Sequence, residues 1–426
     1  MKWLLCTNPS RIGQRLGLVL LAALLTTGCD ARSATTNTPA ASQPLALSFA
    51  FPDDASSSAA ATAWLKAYAA VRPEIQITPQ PLPAQDYPQK LIERLDATAP
   101  DMFVSLDTQT PVLIKRGALF DINPLMSDVK LKLDDFQPAG LAAWQRGPAL
   151  YGLPADLTPA VMFYNRDLFA AAGVAEPASN WTWDDWLADA QKLTVTSGGQ
   201  VSRYGTALGT WAGMVWGNGG ELVSADGKRL LLDSPQAAAG VQFAADMINV
   251  HHVAPPPQIA NGPDPVQLFK EQKVAMMPAS SSLAGTLTQA NLPFKWAIAP
   301  FPTGAVAATP VSVAGLALSA KGQNQRAALD FAAWVVGPDG QAAAASSRPF
   351  AAPALRAAPA RPASVPGAEA IFQSAAFGRT LPQVERWPEI AATVNQALVP
   401  VWQGQATAAA AYRGIAPKIN DLLTTG

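Results

Sequence analysis

The side chains able to do covalent or metal chemistry are few in this sequence, and their spacing speaks against both. Its two histidines, His251 and His252, are adjacent. Neighbouring residues do not share a helix face, so the pair makes a poor metal clamp; at the end of a helix it more simply opposes the dipole. Its two cysteines, Cys6 and Cys29, both lie near the N-terminus. That excludes a disulfide core and a thiolate metal site in the body of the chain. The patterns GxSxG, GxxxxGK[ST] and GxGxxG are all absent, so neither a nucleophile elbow nor a phosphate cradle is legible. Acidic pairs occur at Asp53/Asp54, Asp134/Asp135 and Asp184/Asp185. Sequence-adjacent acids usually cap helices or face solvent, whereas glycosidase carboxylates need a set separation across a cleft. No catalytic residue, metal or cofactor is expected.

The elements that would position any site alternate between strand and helix patterns. Leu45 to Phe51 reads as a strand ended by Pro52-Asp53-Asp54, followed by a helix from about Ser58 to Val71. Residues 73–77 and 100–104 read as further strands around a helix that opens at Asp86-Tyr87-Pro88. A β-α-β-α-β order implies a parallel sheet. The stretch from Tyr151 to Trp186 has the most punctuation. A Gly-Pro turn, Tyr151-Gly152-Leu153-Pro154, precedes the apolar run Val161-Met162-Phe163-Tyr164, a buried strand. A short helix, Leu168 to Ala172, stops at Gly173. Thr182 then caps a second helix, with Asp184 and Asp185 in its positively polarised first turn. Asp233-Ser234-Pro235 starts another helix, with Pro just inside the cap. Val311 to Leu318 reads as a strand, Gln325 to Val336 as a helix, and residues 370–426 as helical.

The string YGLP…YN…LF..AG, followed by TWDDW, resembles the signature of bacterial extracellular solute-binding proteins of family 1, the maltose-binding-like receptors of ABC importers. Other segments resemble that family in the same order: Pro100-Asp101-Met102-Phe103-Val104, Gly117 to Leu125, Phe269 to Met277 and Trp296 to Pro302. Gln272 stands where the family usually has Gly. The resemblance implies an α/β fold of two lobes, each a central sheet flanked by helices, with the ligand cleft between them. It implies lobe one at 45–156 plus 303–348 and lobe two at 157–302 plus 349–426. Three crossing segments would join them, the third within residues 346–367.

A cleft for sugars needs aromatic faces against the C–H side of the ring and planar polar groups for its hydroxyls. The chain holds 12 tryptophans. Trp211, Trp216 and Trp387 lie in segments the family places at its cleft, although core packing is the ordinary use of a Trp. Asp53 and Asp54 follow the first strand, and Ser105 and Asp107 the third, at the sheet edge where ligands gather in open α/β folds. Asp156 and Thr158 follow the Gly-Pro turn. After Met277 the family often places Gly and Trp; here Pro278 to Ser282 supply hydroxyls instead, which favours a small sugar or a polar solute contacted by Ser280 or Ser282. An anionic ligand would want basic residues in the cleft, for which Arg348 and Arg379 are the candidates.

Composition agrees with two large cores: 49% hydrophobic, 14% charged and 426 residues long. Residues 1–28 read as an export signal, with Lys2, Arg11 and Arg15 ahead of the apolar run Leu16 to Leu25. That run is too short to span a bilayer. It ends in a lipobox-like Leu24 to Cys29, which makes Cys29 the expected site of lipidation, although Thr26 stands where Leu is preferred. Asp30 fits inner-membrane retention, and residues 29–44 have the composition of a flexible tether. Without residues 1–28 the balance is 27 basic against 31 acidic residues, or −4. No basic patch is interleaved with aromatics, so nucleic acid is not an expected partner.

The combined expectation is a monomeric, lipid-anchored periplasmic receptor. It captures a carbohydrate by hinge closure and delivers it to membrane permease subunits. The alternatives are a receptor for a glycerol-phosphate or polyol, a secreted carbohydrate-active enzyme, and a lipid-anchored sensor.

Overall fold

A computed structural model describes residues 44–358, 361 and 363–424. The export signal, the tether and Cys29 lie outside the described residues. Among those described, no helix is long and apolar enough to cross a membrane.

The chain opens with β1 (Leu45–Asp53), α1 (Ala55–Val71), β2 (Ile75–Pro83), α2 (Tyr87–Ala97), β3 (Met102–Leu106) and, after one 3-10 turn at Asp107–Gln109, α3 (Thr110–Lys115). As the alternation implied, β1 pairs in parallel with both β2 and β3. A hairpin of two-residue strands, Gln145–Arg146 and Ala149–Leu150, precedes the longest strand, β4 (Leu153–Asn165). Then come α4 (Arg166–Ala171), α5 (Trp183–Leu193), β5 (Val195–Ser197), β6 (Gln200–Thr206), α6 (Trp211–Gly217), α7 (Pro235–Asn249) and α8 (Pro265–Lys270). Further along come, with short helices between them, β7 (Val274–Ser280), β8 (Trp296–Ala299), β9 (Thr309–Leu318), α9 (Gln325–Val336), β10 (Ala352–Pro353), β11 (Gly378–Arg379), α10 (Trp387–Trp402) and α11 (Ala408–Thr424).

These eleven strands form one mixed sheet in the order β2-β1-β3-β9-β4-β7-β6-β5, with β8 and β10 on β4 and β11 on β9. Strand β4 joins its two halves. Leu153 to Pro159 pair with β9, whereas Ala160 to Tyr164 pair with β7, and Met162 to Asn165 also pair with β8. The fold is thus α/β and two-lobed, and β4 belongs to both lobes. The period of two in a strand explains the unbroken apolar run at its centre. Val161 and Phe163 enter one core, which also holds Phe49, Phe103, Trp144 and Phe331. Met162 and Tyr164 enter the other, with Trp186, Val241, Ile390 and Tyr412. Helices α10 and α11 pack on each other and on α7, within the second core.

Two local details fix the path of β4. A Cβ on Gly152 would meet the Trp144 ring at 2.6 Å, and one on Gly315 would meet it at 2.7 Å. The indole therefore lies over two glycines, the first of them in the Gly-Pro turn, and larger residues there would overpack the core. Opposite, β9 shifts register between Ala314 and Gly315, so that Asp156 pairs with Ala314 but Pro154 with Gly315.

Candidate functional site

Where the two halves of the sheet meet, strand alternation marks an open patch. Within β4 only Thr158 and Ala160 are half-buried; every other residue is buried. Within β9 the accessible positions are Pro310, Ser312 and Ala314. Ser312 pairs with Thr158, and Ala160 pairs with Ser280 at the end of β7. Opposed residues share a face of the sheet, so Thr158, Ser312 and Ser280 present three hydroxyls on one floor. The exposed Ser280 lies 3.0 Å from the Ser282 hydroxyl. Ser281 is buried between them, its backbone N–H donating to Pro159 and its Oγ to the Phe350 carbonyl.

The parallel β1 and β3 end at the edge of the sheet where β9 begins. Asp53 is exposed there and accepts a hydrogen bond from Ser58 Oγ at 3.0 Å. Asp107 opens the 3-10 turn after β3 and is 2% exposed. Burial pushes its carboxyl up to about 6, although the backbone N–H groups of Val313 and Thr108 donate to it. Its Oδ1 is buried with no hydrogen-bond partner.

On the other side stand the indoles. Helix α6 lies over the strands, so that a Cβ on its Gly213 would meet Pro310 at 3.1 Å. At its start Trp211 is half-buried, donates from Nε1 to Asn395 Oδ1 at 2.9 Å, and packs against Trp387 with ring centroids 6.3 Å apart. Arg379, in β11 beside Pro310, holds Glu221 with two hydrogen bonds of 2.9 and 2.6 Å, and its guanidinium lies over the Trp216 ring.

Several residues expected at the ligand have other work. Asp156 is 1% exposed. It pairs with Arg348 at 2.6 Å and with the buried Arg361, which also donates to Gln341 Oε1 at 2.5 Å. Burial raises the Asp156 carboxyl, but the two guanidiniums more than offset this and leave it below the usual range. It pins Arg348 and Arg361 to β4 and is not open to solute. Asp54 caps α1, accepting from the N–H and hydroxyl groups of both Ser56 and Ser57. Ser105 is fully buried and donates to Gln109. Trp216, at 2% exposure, is core, and Trp387, at 7%, offers at most an edge. Arg379 is paired with Glu221, and Arg348 shares the Asp156 carboxylate with Arg361. Sequence reasoning passed over Ser312, Glu221 and Asn395; the one legible signal was a lone polar residue alternating with Val311 and Val313.

The described residues hold no cluster of His, Cys, Asp and Glu suited to a metal. His252 sits after α7 with Nδ1 3.0 Å from the Ile248 carbonyl, as a helix-terminal role requires.

Residues 53–342 match the family described as bacterial extracellular solute-binding protein. The chain belongs to that family. Its members are binding proteins, not enzymes. A binding protein of Brucella abortus is 30% identical to this solute-binding protein over 162 residues, which is 36% of this chain and 38% of the relative. The arabinooligosaccharide-binding protein of Bacillus subtilis is 32% identical over 142 residues, 33% of this chain and 31% of the relative. The chain therefore spans about a third of the length of the curated relatives it matches. Among solved structures, the cyclic alpha-maltosyl-1,6-maltose binding protein of Arthrobacter globiformis superposes with a TM-score of 0.78 at 20% identity, covering 90% of this chain and 100% of that one. This solute-binding protein thus shares its fold.

Proposed function

We propose that this protein is the capture component of an ABC importer for a carbohydrate. The single observation that carries the reading is the open floor at the junction of β4, β9 and β7. There a chain of this family presents the hydroxyls of Thr158, Ser312 and Ser280, with the helix that carries Trp211 packed on neighbouring Pro310. Hydroxyls and an aromatic edge suit a polyhydroxy ring. Arg379 is paired one-to-one with Glu221, which favours a neutral group beside it over a phosphate. The names of curated relatives that bind arabinooligosaccharide and diacetylchitobiose support the same class.

In this reading lobe one is 45–156 plus 303–348 and lobe two is 157–302 plus 349–426, with β4 as one of three crossings. Solute bound to both lobes favours the closed form, which docks on the permease. Cys29 carries the lipid anchor, two or more acyl chains being enough for stable attachment. A thermal-shift and calorimetric screen of mono- and oligosaccharides against the purified protein tests the function. At least one neutral saccharide should bind, and replacing Trp211 and Ser312 with Ala should each weaken it by roughly tenfold. Response to a non-carbohydrate solute alone would overturn the reading.

A further inference from the structure

A cavity of about 340 Å³, lined by none of the floor's hydroxyl residues, lies between the two cores. One wall comes from the first side: Pro111, Ile114 and Lys115 of α3, with Arg146 of the hairpin. The other comes from the turn at Asp226-Gly227-Lys228, residues 383–386, Ile390 of α10 and the end of α11.

Its charges do not balance. Glu385 is taken by Lys115 at 2.7 Å, and Arg386 is held by Glu389 at 2.7 Å. The Asp226 carboxylate accepts from Ser224 Oγ and the Lys228 backbone N–H. Arg146 is the exception. Its guanidinium is half-buried, and burial lowers its pKa. Its acceptors are neutral: the carbonyls of Gln145 at 2.6 Å and Ala142 at 3.5 Å, and Gln383 Oε1 at 3.0 Å. Among the described residues no carboxylate pairs with it, and the exposed Lys228 makes no ion pair across the cavity. A half-sheltered guanidinium with an unspent donor face is costly unless an anion meets it.

We propose that this cavity is a binding site for one small oxyanion, a carboxylate or phosphate, held by Arg146 from one lobe and Lys228 from the other. The anion completes the ion pair that Arg146 lacks and bridges the two sides of the mouth. It is either a free anion or the acid group of a bound saccharide. None of the three hydroxyl residues of the floor lines it.

Two ligand series distinguish the sources. Inorganic phosphate is titrated into the whole protein calorimetrically and by thermal shift at low ionic strength. Separately, glucuronate- or galacturonate-bearing disaccharides are compared with their neutral counterparts. Arg146→Gln and Lys228→Gln are the variants; Lys228 is exposed, so its replacement leaves the fold intact if Arg146→Gln does not. Phosphate binding that both variants weaken by roughly tenfold, with salt sensitivity, supports a free anion. A preference for the acidic disaccharide, abolished by either variant while any neutral-saccharide response persists, supports the acid-group source. Absence of phosphate binding together with equal affinity for acidic and neutral disaccharides would overturn the site, and would leave the carbohydrate reading standing.

Discussion

At the scale of single residues, Asp107 carries an energetic cost that pH exposes. Burial raises its carboxyl to about 6, against about 3.9 in an unfolded chain. The native state therefore holds the proton more tightly. Its contribution is full below pH about 4 and is lost as pH rises through about 6, a total of roughly 3 kcal/mol. Asp107→Asn should accordingly be more stable than the parent by up to about 3 kcal/mol at pH 7, with no difference below pH about 4. Melting temperatures across that range check the sign. Gln272 is a second such residue. It ends α8 with a φ of +58°, its N–H donating to Phe269 and that of Lys273 to Leu268. That is the paired hydrogen-bond pattern of a Schellman cap, whose left-handed position suits Gly. The family's usual Gly thus has a conformational reason, and Gln272→Gly should raise stability by about 1 kcal/mol in chemical denaturation.

At the scale of elements, Arg348 and Arg361 are fastened to β4 by charge. Asp156 meets Arg348 and Arg361, and Arg361 also donates to the carbonyls of Arg348 and Ala351 at 3.1 Å. The Asp156 carboxyl lies below its ordinary range, so its stabilisation is present at neutral pH and is lost as pH falls through its native value. Asp156→Ala would strand two cations, one fully buried, and should cost about 3–5 kcal/mol. Urea unfolding at pH 7 measures this; a cost under about 1 kcal/mol, typical of an exposed pair, would show that the clamp is not structural. The expectation of a ligand contact at Asp156 had a clear origin. The residue follows the Gly-Pro turn, and its partners lie roughly two hundred residues further along the chain. Nothing local could reveal them. The capping role of Thr182 was legible, because its partner Asp185 is three residues away.

At the scale of the whole molecule, β4 couples two cores through one strand, and any solute on its floor touches the point where its pairing partners change. Contacts across the mouth, such as Lys115 with Glu385, are exposed and worth at most about 1 kcal/mol. In the proposed reading, closure then draws most of its energy from the solute. The saccharide identified by the screen should stabilise the fold by about 2.7 kcal/mol at a hundredfold excess over its Kd. A smaller shift at that excess would indicate comparable binding to unfolded chain or a partly occupied site.

The sequence by itself determined the alternation of strands and helices, the doubly buried run at Val161 to Tyr164, the cap at Thr182 and the family resemblance. Each of these is written in patterns a few residues long or in the order of short motifs. Tertiary structure alone decided which polar residues stay open. Asp54, Ser105 and Asp156 were consumed by partners, Trp216 sank into the core, and Ser312 was left exposed on the floor. The physical reason is that a polar side chain is free only if nothing nearby satisfies it. For Asp156 and Ser312 the neighbours that settle the matter arrive from distant parts of the chain.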